Sequence, residues 1–107
     1  MNCTEFMNRI ADNQRRIIES IISNEYYKMG VNVLGKGTEV EVKYQTRIII
    51  TINSEDPFIS TDFFTLVDNV RKRTAEAMKI YGFKHIKSEM FYGYWICTFN
   101  FVGDNVI

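Results

Sequence analysis

Proline, cysteine and histidine are all scarce in this chain, and neither sign of charge is in excess. Pro57 is the single proline, and no proline- or glycine-rich linker divides the sequence. Two cysteines, Cys3 and Cys97, are too few for a disulfide scaffold. His85 is the one histidine, so there is no imidazole cluster to hold a metal. The 13 basic residues balance 13 acidic ones. A nucleic-acid binder usually carries a basic excess, because phosphate neutralisation dominates its affinity, and a mimic of DNA carries an acidic one. The balance predicts no tight general binding of DNA or RNA. No apolar run approaches the roughly 18 residues that a membrane span requires. The opening MNCTEFMNRIADNQRR has no apolar signal-peptide core. These absences predict a soluble protein of a reducing cytoplasm, with no membrane partner and no cofactor.

What is present is a core. Hydrophobic residues make up 46% and aromatics 14% of the 107 residues, which predicts one folded domain over 1–107. Residues 5–28 read as a helix: Ile10, Ile17 and Ile21 recur at helical spacing, joined by Phe6, Ile18 and Ile22. Asn2 stands at the cap, with Glu5 three residues on. Arg9, Asp12, Arg16 and Glu19 mark the opposite, solvated face. Gln14 falls inside the apolar stripe, as a polar contact between helices or as a boundary residue. Val31 and Val33 suggest a short strand turning through Leu34-Gly35-Lys36-Gly37. Two glycines around a lysine lack the full spacing of a phosphate loop, so a hairpin turn is the reading there.

Val40, Val42, Tyr44, Ile48, Ile50 and Ile52 are all even-numbered. A two-residue hairpin at Gln45-Thr46 would expel three isoleucines from the core, because a one-residue slip exchanges the faces of a strand. One long, bent strand over 38–53 preserves the parity and is favoured. A three-residue turn preserves it too, but normally wants a glycine in the left-handed position. Ser54-Glu55-Asp56-Pro57 reads as a turn, and its acidic residues with Asp62 read as a turn and a helix start rather than a metal site. A second helix over 61–81 follows, capped by Ser60 and stopped at Gly82, with Phe63, Val67, Val70, Thr74, Ala77 and Tyr81 on one face. Arg71, Lys72 and Arg73 fan over its surface.

The segment KSEMFYGYWICTFNF places a two-residue turn at Tyr92-Gly93. Met90, Ser88 and Ile86 then oppose Trp95, Cys97 and Phe99 on one face. Phe91, Glu89, Lys87 and His85 oppose Tyr94, Ile96, Thr98 and Asn100 on the other. The predicted fold class is α+β: two amphipathic helices on one face of an antiparallel sheet, in the order α-β(β)-α-β-β. The uncovered face would show charged residues around Arg47, Ile49, Phe91, Tyr94 and Ile96, with Tyr92 at the hairpin tip. These six residues are the candidate partner-binding set, for another protein or for copies of the chain itself. Exposed aromatics among charges are what protein interfaces use; the competing role for Phe91 and Tyr94 is packing on each other across the strands. His85 and Cys97 would point to opposite faces, so no hydrolytic dyad forms. No catalytic motif is present, and a non-enzymatic protein is expected.

RIIITINSEDPFISTDFFTLVDNV and IYGFKHIKSEMFYGYWICTFNFV, within residues 38–102, set out a long strand, an Asp-Pro turn, a helix and a C-terminal hairpin with an aromatic last strand. This layout resembles that of tailed-phage tail-terminator and tail-completion proteins. The resemblance implies a small domain that assembles into a ring at the head-proximal end of a tail, and a location in the host cytoplasm or the virion. It carries no functional residue across, and the long, charged first helix departs from the pattern. A phage-encoded inhibitor or adaptor of another protein fits the same layout and is the leading expectation. The ring-forming assembly protein and a nucleic-acid-binding module are the alternatives.

Overall fold

The computed structural model describes residues 2–29, 38–53 and 61–103. Helix α1 spans Cys3–Lys28. Asn2 starts it as expected: its backbone is extended, and its Oδ1 accepts the Glu5 N–H at 2.8 Å. This satisfies one of the donors that a helix leaves open at its first turn. Strands β1 (Glu39–Lys43) and β2 (Arg47–Asn53) follow, then α2 (Thr61–Met78), one turn of 3-10 helix at Lys79–Tyr81, and strands β3 (Phe83–Phe91) and β4 (Tyr94–Phe101). All strand pairs are antiparallel, in the order β1-β2-β4-β3. The fold is α+β with both helices on one side of the sheet. The expected elements at Val31, Val33 and Leu34–Gly37, the turn at Ser54–Pro57, the Ser60 cap and the Asp62 side chain lie outside the described residues.

The core forms where the two helices meet the inner sheet face. Ile18 and Ile22 of α1, Leu66, Val67, Val70 and Met78 of α2, and Ile48, Ile50, Ile52, Trp95, Cys97 and Phe99 of the central strands are all buried. Each such large side chain contributes about 1.5–3 kcal/mol through removal from water. Gln14 is 3% exposed inside this stripe. It is a buried contact rather than a boundary residue, and its Oε1 has no hydrogen-bond partner among the described residues. Glu25 is equally buried; Lys28 Nζ at 3.1 Å and Arg73 Nη1 at 3.4 Å neutralise it, and the second pair ties α1 to α2. Arg15 makes the ion pairs of the solvated face, with Asp12 and Glu19.

Two expectations are corrected. Residues 38–53 are not one bent strand but a hairpin, closed by a loop of Tyr44, Gln45 and Thr46. The Thr46 N–H donates to the Lys43 carbonyl at 3.0 Å, and Gln45 supplies the left-handed residue at φ 51 without being glycine. Parity survives, since Val42 faces Ile48 and Val40 faces Ile50. The second correction lies in β3. Its pairing with β4 is as expected from Phe91–Tyr94 to Lys87–Thr98, then a bulge at Ile86 shifts it. His85 therefore faces Phe99 instead of Asn100, and Ile86 faces nothing in the core and is 48% exposed. The cause is Phe83. An unbroken alternation would leave it outside with Lys87, whereas the extra residue brings it into the core at 1% exposure, edge-on to Phe101.

Candidate functional site

The outer face of the sheet is built by β-alternation. Odd residues of β1 and β2 and even residues of β4 point away from the helices, while β3 contributes Lys84, Lys87, Glu89 and Phe91. Read across the strands, one row is Lys43, Arg47, Asn100 and Lys84. The next is Glu41, Ile49, Thr98 and Lys87, and the third is Glu39, Thr51, Ile96 and Glu89. Asn53, Tyr94 and Phe91 end the face toward the hairpin tip.

Four of the six expected partner-binding residues, Arg47, Ile49, Phe91 and Ile96, line one shallow groove across this face. Tyr94 stands beside it, its ring stacked on Phe91 with centroids 5.4 Å apart. Tyr92 is separate from the groove, at the tip, and 99% exposed. Ile86 also lines the groove. Even-residue counting assigned it to the core, and the signal that it belongs outside was the spacing to Phe83. Within the face, Lys87 pairs with Glu89 at 2.9 Å and Lys43 approaches Glu41 at 4.0 Å, both exposed pairs of small energetic weight.

On the helix side of β3, the bulge creates a second constellation and overturns the expected separation of His85 from Cys97. His85 Nε2 lies 2.9 Å from Ser88 Oγ, and Ser88 Oγ donates to Cys97 Sγ at 3.4 Å. Burial, and secondarily the nearby Arg71 cation, hold the His85 imidazolium below its ordinary pKa, so the ring is neutral at pH 7. Burial pushes the Cys97 thiol up to about 11, so it stays protonated and is a poor nucleophile. Lys72 and Arg71 hydrogen-bond Asp68 and keep its carboxyl below the usual range. What this chain of contacts does is local: it satisfies the polar groups of a bulged edge strand. Among the described residues, no group of three or more His, Cys, Asp or Glu side chains is placed to hold a metal. No described helix is long and apolar enough to cross a membrane. No family model, curated protein or solved structure matches this chain.

Proposed function

We infer that this protein acts through protein–protein contact, as a small non-enzymatic inhibitor or adaptor. The observation that carries the reading is the outer-face groove. It gathers Arg47, Ile49, Ile86, Phe91 and Ile96 on a sheet face that no described element covers. Aromatic side chains and arginine are among the residue types that dominate binding energy at interfaces, and here Phe91 and Arg47 stand beside aliphatic side chains. Exposed Tyr92 and the stacked Phe91–Tyr94 pair extend this surface to the hairpin tip. A reducing cytoplasm suits the two free cysteines, one of them exposed.

The test is the double variant Phe91→Ser, Tyr94→Ser. Their cross-strand pair contributes up to about 1 kcal/mol to the sheet, so the fold survives its loss. The expected result is loss of partner capture from the source cell, with a thermal melt close to that of the wild-type chain. Normal association by the folded double variant would reduce the tip aromatics to cross-strand packing and sink the reading.

A further inference from the structure

We propose that the partner of the outer face is a second copy of this chain, docked face to face with its strands running the opposite way. The proposal rests on the contact reading above and supplies the partner. Its basis is the distribution of charge along the strands. The row toward the Gln45 turn is basic, with Lys43, Arg47 and Lys84. The row two steps toward the tip is acidic at both edges, with Glu39 and Glu89. The row between them is balanced, with Glu41 at one edge and Lys87 at the other. The face thus carries a lengthwise dipole although the chain has no net charge.

A face polarised in this way is complementary to itself under a two-fold rotation about an axis crossing the strands at the middle row. Rows are about 6.7 Å apart along the strands, so the rotation lays each acidic row over the basic row of the other copy. Glu39 meets Lys43 and Glu89 meets Lys84, each pair formed twice, as an isologous contact requires. Ile49 sits near the axis and packs on its own counterpart. Glu41 and Lys87 approach their own copies at the rim, where the pairings with Lys43 and Glu89 offset them. The roughly 30° offset between aligned sheets draws these like charges apart.

Among the described strands, the edges favour the face over strand addition. β1 has five residues with Glu39, Glu41 and Lys43 along it, and β3 is broken by its bulge. Short, charged and bulged edges are the devices that keep a sheet from pairing edge to edge. A polyanion does not fit a face whose central rows carry glutamates. The four-stranded face is only about 14 Å wide between its edge strands, so the dimer belongs with the small, weak specific contacts.

Sedimentation velocity on the full chain, over concentrations up to about 1 mM, covers that weak range. The expected result is a monomer–dimer equilibrium that weakens between about 50 mM and about 500 mM salt, because its contacts are exposed charges. Two variants then test the geometry. Lys43→Glu with Lys84→Glu makes both rows acidic, and Glu39→Lys with Glu89→Lys makes both basic. Each alone should lose association by at least about tenfold, through like-charge opposition. Mixed in equal amounts they should form a one-to-one heterodimer of wild-type strength. A wild-type chain monomeric throughout, or variants that dimerise alone as wild type does, overturns the proposal. If a variant pair fails to fold, dilution shifts in the amide NMR spectrum of the wild-type chain decide instead: shifts at Ile49, Ile96 and Thr98 support the face, and shifts confined to the helices refute it. The contact reading fails separately. A monomeric chain that still captures a foreign protein, and loses it on Ile49→Arg, keeps that reading and discards the second copy.

Discussion

The N-terminal hairpin turns through Tyr44, Gln45 and Thr46, and the C-terminal one through Tyr92 and Gly93. Both need a left-handed residue, at φ 51 for Gln45 and φ 85 for Gly93. Glycine adopts that conformation freely, whereas a side chain there costs about 1–2 kcal/mol. The first hairpin thus has the costlier turn and the regular ladder, and the second has the easier turn and a bulged ladder. The lesson is that turn chemistry and strand register are set by different forces. Gln45 is held in place because a two-residue turn would exchange the faces of Ile48, Ile50 and Ile52, all fully buried. The bulge exists because Phe83 must reach the core whatever the Tyr92-Gly93 turn dictates.

The comparison breaks first if its shared core is misplaced. Trp95→Ala removes a large side chain that is 4% exposed between both hairpins. It should cost about 3–5 kcal/mol, much of the stability of a small domain, as read by urea denaturation; a melt within a few degrees of wild type would place Trp95 outside. Next come two glycines with nearly the same backbone and different surroundings. At Gly82, φ 86, an added Cβ would lie 2.8 Å from Phe101 Cε2 and 3.1 Å from the Gly103 backbone. At Gly93, φ 85, it would meet nothing within 4 Å. Gly82→Ala should therefore cost about 2–4 kcal/mol, conformational strain plus overpacking, against about 1–2 for Gly93→Ala, strain alone. Equal losses would mean that the packing at Gly82 relaxes freely. Gln45→Gly should do the reverse and stabilise by about 0.5–1 kcal/mol, strain relief less the added chain entropy; a loss would show that the Gln45 side chain supports the turn.

The smallest effect concerns the bulge. The folded-state pKa of His85 lies below its unfolded value near 6.5. The unfolded chain then binds the extra proton as pH falls, so the contribution of His85 is full above about pH 6.5. It declines below that, through the lowered folded value. His85 is half-buried, so solvent partly screens the effect. Melting temperatures should fall slightly from pH 7.5 to pH 5.5, and His85→Gln should flatten that slope; an unchanged slope would assign it to other groups.

Most of the architecture is legible in the residues because it depends on local periodicity. The Asn2 cap, the Gly82 stop, the Tyr92-Gly93 turn and the joint burial of Trp95, Cys97, Phe99, Ile48, Ile50, Val67 and Val70 all follow from spacing. The three-residue turn was harder to see because its left-handed position carries glutamine, whose strain is offset by contacts far along the chain. The bulge was harder still. It balances one distant aromatic against the ladder, and nothing in FKHIKSEMF marks the extra residue apart from the unequal phase of Phe83 and Met90. The groove was legible in its members Arg47, Ile49, Phe91 and Ile96, and Ile86 was hidden by the same bulge. The charge rows depend on register across all four strands, so they appear once that register is known.

The strand order has a consequence for how the molecule comes together. β4 is the last of the described strands in sequence and yet lies between β2 and β3, hydrogen-bonded to both. Any process that presents the chain from its N-terminal side, such as ribosomal synthesis, delivers both helices and the first hairpin before the strand that unites them. Until β4 arrives, Ile48, Ile50 and Ile52 face the helices from a two-stranded ribbon, which is marginally stable in water by itself. Insertion of β4 then closes the sheet in one step, with long-range pairings on its β2 side. Refolding should therefore be cooperative and governed by the docking of one strand, with amide protection on β2 and β4 rising together.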